Sequence, residues 1–341
     1  MKKTFTTSIL VAVLAMTAAT ANAKSWRINS DTTKGADFAS INAAMNSSDV
    51  AAGDTLYLDP GCLLTASQTV NKQVTIVGPG YLRSNAPHQG ATISGELIFS
   101  AANAKIEGVS MTSTVYIRAQ KVTIERCWIT GNIFNGSSNY NTQYAIIRQC
   151  YITSYIHGNN STSNQTAYWT IENNIIQSST SEYPVRNLNN PTIRNNYISS
   201  SNKDCCPIRD IQAGLVTNNI LINKNNKGWI FYNITDVVIN HNVMSSGEDT
   251  TYPENIFLDS NDESLVFALQ GTYDQRYQLK DDSPAKGATA DGGDCGPYGG
   301  TYPYVVSGLP AGHPYYTKAN IATRAKDGKI NVSLNIKMQN E

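Results

Sequence analysis

Three short segments of the chain carry side chains suited to binding or catalysis. The segments "PVRNL", "PIRDI" and "IFYNI" follow one another at a step of 23 residues, and their outward positions hold Arg186, Arg209 and Tyr232. Arginine binds carboxylate or sulfate groups through paired hydrogen bonds, and tyrosine offers a ring face with a polar tip. Aligned on one surface, these three side chains are typical of a site for an acidic sugar.

Two further residues extend this chemistry from binding to proton transfer. Asp210 follows Arg209 directly, and His157 lies upstream in "SYIHGNN". An unperturbed imidazole suits proton abstraction near neutral pH, so Arg209, Asp210 and His157 are the candidate catalytic residues. The same positions also fit a role without any ligand, because residues that face solvent are polar in most proteins.

These positions share a surface only if the chain repeats, and related segments do recur along it. Examples are "TIERCWIT", "TIENNIIQ" and "PTIRNNYI", whose shared apolar residue returns after 18 to 24 residues. A regular step of this size is the signature of a repeat architecture. The positions that define the repeat are Ile106, Ile124, Ile147, Ile171, Ile193, Val216 and Ile239.

The repeat predicts an all-β fold. Its segments are rich in Ile, Val, Thr and Tyr, and Asn, Ser and Gly bound them, which is typical of short strands and turns. Roughly 23 residues accommodate three short strands and three turns, which is one coil of a parallel solenoid. We therefore predict a single-stranded right-handed parallel β-helix with coils about 4.8 Å apart.

Paired asparagines mark one corner of each predicted coil. In "PTIRNNYI", a tight turn at Asn195–Asn196 resets the alternation so that Ile198 points inward again. Asparagine tolerates the left-handed backbone of such a turn, and stacked amides can hydrogen-bond along the column. We predict a structural ladder with small cysteines on its first rungs. Its members are Cys127, Cys150, Asn174, Asn196, Asn219 and Asn242.

Two more outward lanes follow from the same spacing. Glu125, Arg148, Glu172 and Arg194 alternate in charge from coil to coil, which predicts ion pairs that hold the stacking register. The other lane is apolar: it begins with Trp128 and Tyr151 and continues through Ile175, Tyr197, Ile220 and Val243. Such a stripe is either a glycan-stacking platform, with Trp128 and Tyr151 binding the ligand, or it lies beneath a loop or the C-terminal sheet.

The first residues predict export. Two lysines, an apolar run and Ala21-Asn22-Ala23 form a Sec-type signal peptide with cleavage expected after Ala23. We expect a secreted, periplasmic or cell-surface protein, and no later segment is long and apolar enough to span a membrane. Charged residues make up 15% of the chain and balance to a net charge of +0, which argues against a nucleic-acid partner.

Six cysteines in an exported chain permit disulfides, and Cys127 and Cys150 on neighbouring coils fit either a disulfide or two buried thiols. We expect a monomer without a bound cofactor. The acidic segments "DSNDES" and "DGGD" offer oxygen ligands for calcium, but neither has the spacing of a known calcium loop.

Three regions follow along the chain. Residues 1–23 are the signal peptide, residues 24–303 the parallel β-helix with its N-terminal cap, and residues 304–341 a C-terminal β segment packing on the helix. The stretch "ADFASINAAMNS" predicts a cap helix, because Phe38, Ile41 and Met45 share one face. In the tail, "KINVSLNIKMQ" alternates as an amphipathic strand, which could form a small sheet with "YVVSGLP" and "ANIATRA".

Together, the signal peptide, "GDTLYLDPG", "VTIVGPGYL" and the "TIENNII" repeats resemble secreted bacterial β-helix proteins of the pectin-lyase-like superfamily. The resemblance implies that the Arg186–Arg209–Tyr232 lane lies on the face where β-helix lyases bind polysaccharide. The enzyme motifs themselves do not match. A pectate-lyase-like Arg-x-Pro-x-x-Arg has Asn189 at its first position, and polygalacturonase-like motifs are out of order and lack Arg-Ile-Lys.

Three functions fit these observations. The first is a non-catalytic protein that binds a polysaccharide or cell-surface glycan or mediates adhesion, and the failed enzyme motifs favour it. The second is a lyase or glycoside hydrolase acting on an acidic glycan, and the third is a purely structural surface protein. Fold alone does not choose among them.

Overall fold

A computed structural model describes most of the chain. The described residues are 23–81, 90–137, 139–158, 166–225, 229–245, 252–271, 273–309, 314–321, 328–330 and 332–338. The predicted signal peptide lies outside them except for Ala23. Across the described ranges, no helix is long and apolar enough to cross a membrane.

Three long parallel sheets, which we call sheets A, B and C, build the body of the protein. Sheet A has ten strands: Ser25–Ile28, Thr55–Leu58, Thr75–Val77, Lys105–Glu107, Thr123–Glu125, Ile146–Arg148, Thr170–Glu172, Thr192–Arg194, Leu215–Thr217 and Val238–Asn240. Sheet B also has ten: Leu63–Leu64, Thr92–Ile93, Ser110–Met111, Trp128–Ile129, Tyr151–Ile152, Ile175–Ser178, Tyr197–Ser200, Ile220–Asn223, Val243–Met244 and Ile256–Phe257. Sheet C has eight: Gln68–Val70, Leu97–Phe99, Val115–Ile117, Ile133–Phe134, Ile156–His157, Val185–Asn189, Ile208–Gln212 and Phe231–Thr235.

The predicted fold class, a parallel β-helix, is confirmed. From Thr55–Leu58 to Phe231–Thr235, each coil contributes one strand to each sheet, and the strands pair in parallel with the next coil. The apolar residues that defined the repeat, from Ile106 to Ile239, are direct register partners along sheet A. All of them are buried in one continuous core, which is how a solenoid whose coils cannot fold alone becomes stable.

A short helix covers the core at the N-terminal end. The helix Ile41–Asn46 begins after Ser40, whose hydroxyl accepts a hydrogen bond from the backbone N–H of Ala43 at 3.1 Å. Ile41 and Met45 are buried against the first coils. The helix is shorter than the predicted segment, and the strand Ser25–Ile28, which the sequence analysis missed, begins sheet A.

The paired asparagines turn the chain between sheets A and B. Asn195 adopts a left-handed backbone, with φ of 52°, and Asn196 points into the core. The amide nitrogen of Asn196 donates to the side-chain oxygen of Asn219 at 2.9 Å and to the carbonyl of Ile171 at 2.8 Å. The same pattern links Asn174 through Asn242, and all six predicted ladder residues are buried.

The ladder has one more rung than the sequence spacing indicated. Asn242 donates to the side chain of Asn255 at 2.9 Å, although only 13 residues separate them. The last coil is thus much shorter than the others, and its described residues contain no strand of sheet C or A between Val243–Met244 and Ile256–Phe257.

Residues 252–309, which we call the strap, continue the chain beyond the strand Val243–Met244. After Ile256–Phe257 the chain folds back over sheet B through the short 3₁₀ helices Glu263–Leu265, Tyr273–Tyr277 and Val306–Gly308. The strap buries its own apolar residues against that sheet. The stretch "YVVSGLP" therefore ends the strap instead of forming a strand.

A two-stranded antiparallel sheet follows the strap. The strand Pro314–Ile321 pairs with Val332–Met338, which matches the predicted terminal strands in "ANIATRA" and "KINVSLNIKMQ" only approximately. Its packing on the last coils stays a prediction.

All six cysteines are buried and free. Cys127 and Cys150 occupy the first rungs of the ladder as thiols, and the Cys150 thiol donates to the carbonyl of Arg148 at 3.2 Å. Burial raises the pKa of Cys150 well above its usual value, so the thiol stays protonated.

Candidate functional site

Each sheet presents one outward row of side chains. The three rows differ in how many of these side chains already have ion-pair or packing partners within the protein. On sheet A, Arg148 pairs with Glu125 at 3.1 Å and Arg194 pairs with Glu172 at 2.7 Å. Although burial opposes ionisation, Lys105 and Arg148 hold the pKa of Glu125 below its usual value. This row neutralises itself, as its alternating charges predicted, and offers little to a ligand.

The sheet B row is covered by the strap. Tyr151 is 7% exposed, and Tyr197 is fully buried between the rings of Phe267 and Tyr277. The half-buried Trp128 packs against Tyr151 and, from the strap, Tyr273. The expectation that Trp128 and Tyr151 bind a glycan is therefore not met. The apolar stripe instead lies beneath a loop, the other alternative that its composition allowed.

The left-handed corner residues of sheet A hold the strap in place. Asn173 donates its amide hydrogens to the carbonyls of Pro297 and Gly299 at 2.9 and 2.6 Å. Gln149 donates to the carbonyl of Pro303 at 2.6 Å. In the Asn-Asn pairs, the first residue thus faces outward toward the strap and the second faces inward toward the ladder.

The sheet C row is open to solvent along the solenoid. Its members are outward-facing register partners on eight successive coils, and all are half-buried or exposed. The row consists of Thr69, Ile98, Tyr116, Phe134, His157, Arg186, Arg209 and Tyr232. The structure therefore brings the predicted Arg186, Arg209 and Tyr232 together and places His157 in the same row.

From Tyr116 to Tyr232 the sheet C row has two halves, and the first half, Tyr116, Phe134 and His157, is aromatic. The rings of Tyr116 and Phe134 lie 6.1 Å apart, and Phe134 stacks on the imidazole of His157 at 4.8 Å. Burial, and then the nearby Arg186, lower the pKa of His157 to about 4, so this ring is neutral at physiological pH. Three neighbouring coils thus present a continuous strip of uncharged rings.

The second half is basic, but each of its arginines already has an acidic partner. The Nη1 atom of Arg186 pairs with Glu182 at 2.7 Å. The Nε atom of Arg209 pairs with Asp210 at 2.8 Å. Two intramolecular pairs therefore neutralise the charge that the sequence analysis assigned to an acidic ligand.

Tyrosine rings flank Arg209 on both sides. Its guanidinium lies 4.4 Å from the ring centroid of Tyr183 and 4.9 Å from that of Tyr232. Tyr232 is 47% exposed and stacks on the equally exposed Trp229 at 6.1 Å. An aromatic surface therefore continues to the last coil of sheet C.

A column of left-handed residues runs beside the basic half. Asn187, Asp210 and Asn233 have φ of 57°, 52° and 52°, which interrupts the strand alternation at the same place on three coils. Two consecutive residues then face outward, and Leu188 and Ile211 return to the core. This bulge explains why both Arg209 and Asp210 lie on the surface.

The candidate catalytic groups are fully engaged within the protein. The Nδ1 and Nε2 atoms of His157 contact Arg186 Nη2 at 3.4 Å and Asn187 Nδ2 at 2.7 Å. The second carboxylate oxygen of Asp210 accepts a hydrogen bond from Asn233 at 2.5 Å. A base with a pKa of about 4 is poorly matched to proton abstraction near neutral pH.

Sequence reasoning missed the aromatic half of the row. Tyr116 and Phe134 follow each other after 18 residues, whereas His157 and Arg186 are separated by 29. The step is 23 residues between Phe134 and His157 and again over the last three coils, but the connections before Phe134 and after His157 have other lengths, so the spacing did not join these groups into one row. Pairing "VYI" with the later "NIF" by their alternation would have found them.

The acidic segments considered for calcium serve the strap. Glu263 accepts a hydrogen bond from the hydroxyl of Tyr197 and pairs with Lys224, both at 2.6 Å. Asp291 accepts from the hydroxyl of Thr289 at 2.5 Å. No group of three or more His, Cys, Asp or Glu residues that could hold a metal occurs within the part of the chain that the structure describes.

Comparison with known proteins adds no functional assignment. No protein-family model and no curated protein matches this chain. The structure shows the parallel β-helix itself, and the closer resemblance to the pectin-lyase-like superfamily stays a prediction from the sequence motifs.

Proposed function

We propose that this protein binds a polysaccharide chain along the sheet C row and performs no chemistry on it. The single observation that carries the proposal is the continuity of the row. Aromatic and basic side chains occupy the outward position on six successive coils, from Tyr116 to Tyr232, and no part of the strap lies over them among the described contacts. A polysaccharide is a linear repeating ligand, and a solenoid presents a linear repeating surface.

Elimination supports the choice of this face. The sheet A row is occupied by its own ion pairs, and the sheet B row is covered by the strap. Aromatic rings provide large rigid contact area at a small entropic cost, which suits a ligand with many weak contacts.

Export belongs to the same proposal. The signal-peptide motif that ends at Ala23 delivers the protein to a compartment where it would meet polysaccharides, either free or on a cell surface. We propose that the protein acts there as a monomer.

The test is binding to a panel of neutral and acidic polysaccharides, measured by affinity gel electrophoresis and calorimetry. Phe134→Ala and Tyr232→Ala lie on distant coils of the row, and each should weaken binding by about fivefold or more, since truncating a central contact typically costs over 1 kcal/mol. Tyr144→Ala is the matched control, because Tyr144 is comparably exposed but lies outside the row.

Two results would contradict the proposal. Unchanged affinity in both row variants, or equal losses in the Tyr144 control, would remove the sheet C row from binding. Unsaturated products or new reducing ends after incubation would show that the protein is an enzyme after all.

A further inference from the structure

Arg118 differs from the other arginines of this face in having no acidic partner. It directly follows the sheet C strand Val115–Ile117, two residues beyond Tyr116, and is half-buried. The described residues place no carboxylate within ion-pair distance of it, and its Nε atom is buried without a hydrogen-bond partner. Arg186 also has an unpaired Nε, but Glu182 neutralises its charge.

Aromatic rings hold the Arg118 guanidinium in place. Its Cζ atom lies 4.7 Å from the ring centroid of Tyr116 and 5.2 Å from that of Tyr140. Such contacts orient a cation without neutralising it, because the rings carry no net charge. A planar guanidinium positioned in this way retains donors that match carboxylate or sulfate geometry.

The next coil approaches Arg118 with a glycine. Gly136 follows the neighbouring strand Ile133–Phe134, and a side chain there would lie 3.1 Å from the Tyr116 ring and 3.3 Å from Arg118 Nε. The backbone of Gly136 has φ of 79°, which disfavours any other residue. A side chain at this point would press against the Tyr116 ring and the Arg118 side chain, so the glycine lets both keep their positions.

We propose that Arg118 binds an anionic substituent of the polysaccharide, so that the ligand of this protein is an acidic glycan whose charged group is read at this position. The inference rests on the proposed function, and it assigns the selectivity for acidic ligands to Arg118 instead of Arg186 and Arg209. The Nε atom of Arg118 is buried, whereas the two terminal nitrogens make no hydrogen bond among the described residues and would donate to a bound carboxylate or sulfate. The rings of Phe134 and His157 would then carry the adjoining sugars.

The experiment compares a uronic-acid polysaccharide, its carboxyl-reduced neutral form and a sulfated polysaccharide, each titrated into wild-type protein and variants. Arg118→Gln should bind at least one acidic polysaccharide about ten- to a hundredfold more weakly, which corresponds to the loss of one charge-assisted hydrogen bond. It should bind the neutral form as tightly as the wild type does. The acidic polysaccharide that shows the loss identifies the anion as carboxylate or sulfate.

Two further variants separate charge from packing. Arg118→Lys keeps the charge but loses the planar fork, so it should recover part of the affinity. The double variant Asp281→Asn/Lys286→Gln removes an exposed ion pair outside the row without changing the net charge, and it should bind acidic polysaccharide within about twofold of wild type. Urea unfolding of each variant verifies that the fold is intact.

The outcomes distinguish the inference from the function on which it rests. If Arg118→Gln keeps wild-type affinity for every acidic polysaccharide while Phe134→Ala loses it, then Arg118 is not the anion site but the row still binds polysaccharide. If Arg118→Gln loses affinity for neutral and acidic forms alike, the residue supports the fold and the inference is wrong. If the wild type binds none of the polysaccharides, the proposed function fails together with the inference.

Discussion

The outward rows of sheets B and C contain similar residues but have opposite surroundings. Tyr151 and Tyr197 on sheet B lie beneath the strap, whereas Tyr116 and Tyr232 occupy equivalent outward positions on sheet C and contact solvent. Both rows arise from the same strand alternation and the same coil spacing. The difference is that sheet B borders the corner residues to which the strap is anchored.

This difference shows that the residues of an aromatic stripe on a solenoid do not by themselves reveal whether the stripe is core or binding surface. Covered by a strap, the stripe is a second hydrophobic core that stabilises the coils. Left open, it is a candidate binding surface. Four experiments can strengthen or break this distinction.

The largest effect is expected from truncating a ring beneath the strap. Tyr197→Ala should reduce the free energy of unfolding by about 3–5 kcal/mol, because it leaves a cavity between Phe267 and Tyr277 and removes the hydroxyl that donates to Glu263. Tyr232→Ala on sheet C should change it by less than about 0.5 kcal/mol. Urea unfolding followed by circular dichroism measures both, and equal losses would show that the rows do not differ as described.

A smaller loss is expected from releasing the strap at one corner. Asn173→Gly keeps the left-handed backbone accessible but removes two hydrogen bonds to the strap, which should cost about 1–3 kcal/mol. Asn187→Gly is the matched control on sheet C, since it also has positive φ but makes no strap contact among the described ones. Limited proteolysis within residues 252–309 should become faster only in the Asn173 variant, and unchanged cleavage would argue against the anchoring role.

The stability that the strap contributes to the folded protein should also depend on pH. Asp274 accepts hydrogen bonds from Tyr81, Tyr304 and the backbone of Ser307, yet burial raises its pKa above the usual 3.8. A raised folded-state pKa means that the unfolded chain ionises first as pH rises. The stability linked to this carboxyl is therefore complete below about pH 4 and is lost as pH increases through the folded-state pKa.

Asp274→Asn removes that titration while keeping an acceptor oxygen. The variant should gain stability relative to wild type as pH rises from about 4 to 7, measured by urea unfolding at each pH. A constant difference across this range would mean that the carboxyl is not responsible.

The smallest effect is expected at His157 in the open row. Because its pKa is lowered to about 4, the ring is neutral throughout the range from pH 5.5 to 8. Polysaccharide binding should therefore show no His157-dependent change over that range, and His157→Phe should bind with the same pH profile as wild type. A titration near pH 6.5 that disappears in His157→Phe would indicate a charged histidine in the site.

The same linkage gives a stability effect of the opposite sign to that of Asp274. A histidine that is harder to protonate in the folded state lowers stability as pH falls from about 6.5 toward 4. His157→Phe should remove this slope, which urea unfolding at pH 4.5 and 7 would detect.

The sequence by itself determined the coil, the register of sheet A and the buried ladder. These features repeat locally: alternation places Ile193 inward, and the Asn195–Asn196 turn restores that alternation on every coil. A periodic pattern is visible in a single chain because every coil must place an apolar residue inward and a turn at the same corner to stack on its neighbours.

Only the tertiary structure decided which surface is open. The strap reaches Tyr197 from Phe267 and Tyr277, which lie 70 and 80 residues further along the chain, and no local pattern encodes that contact. Variable loops likewise hid Tyr116, Phe134 and Arg118 from alignment by spacing. Whether an outward ring becomes core or binding surface depends on long-range packing, because burial is a property of what lies above a residue and not of the residue itself.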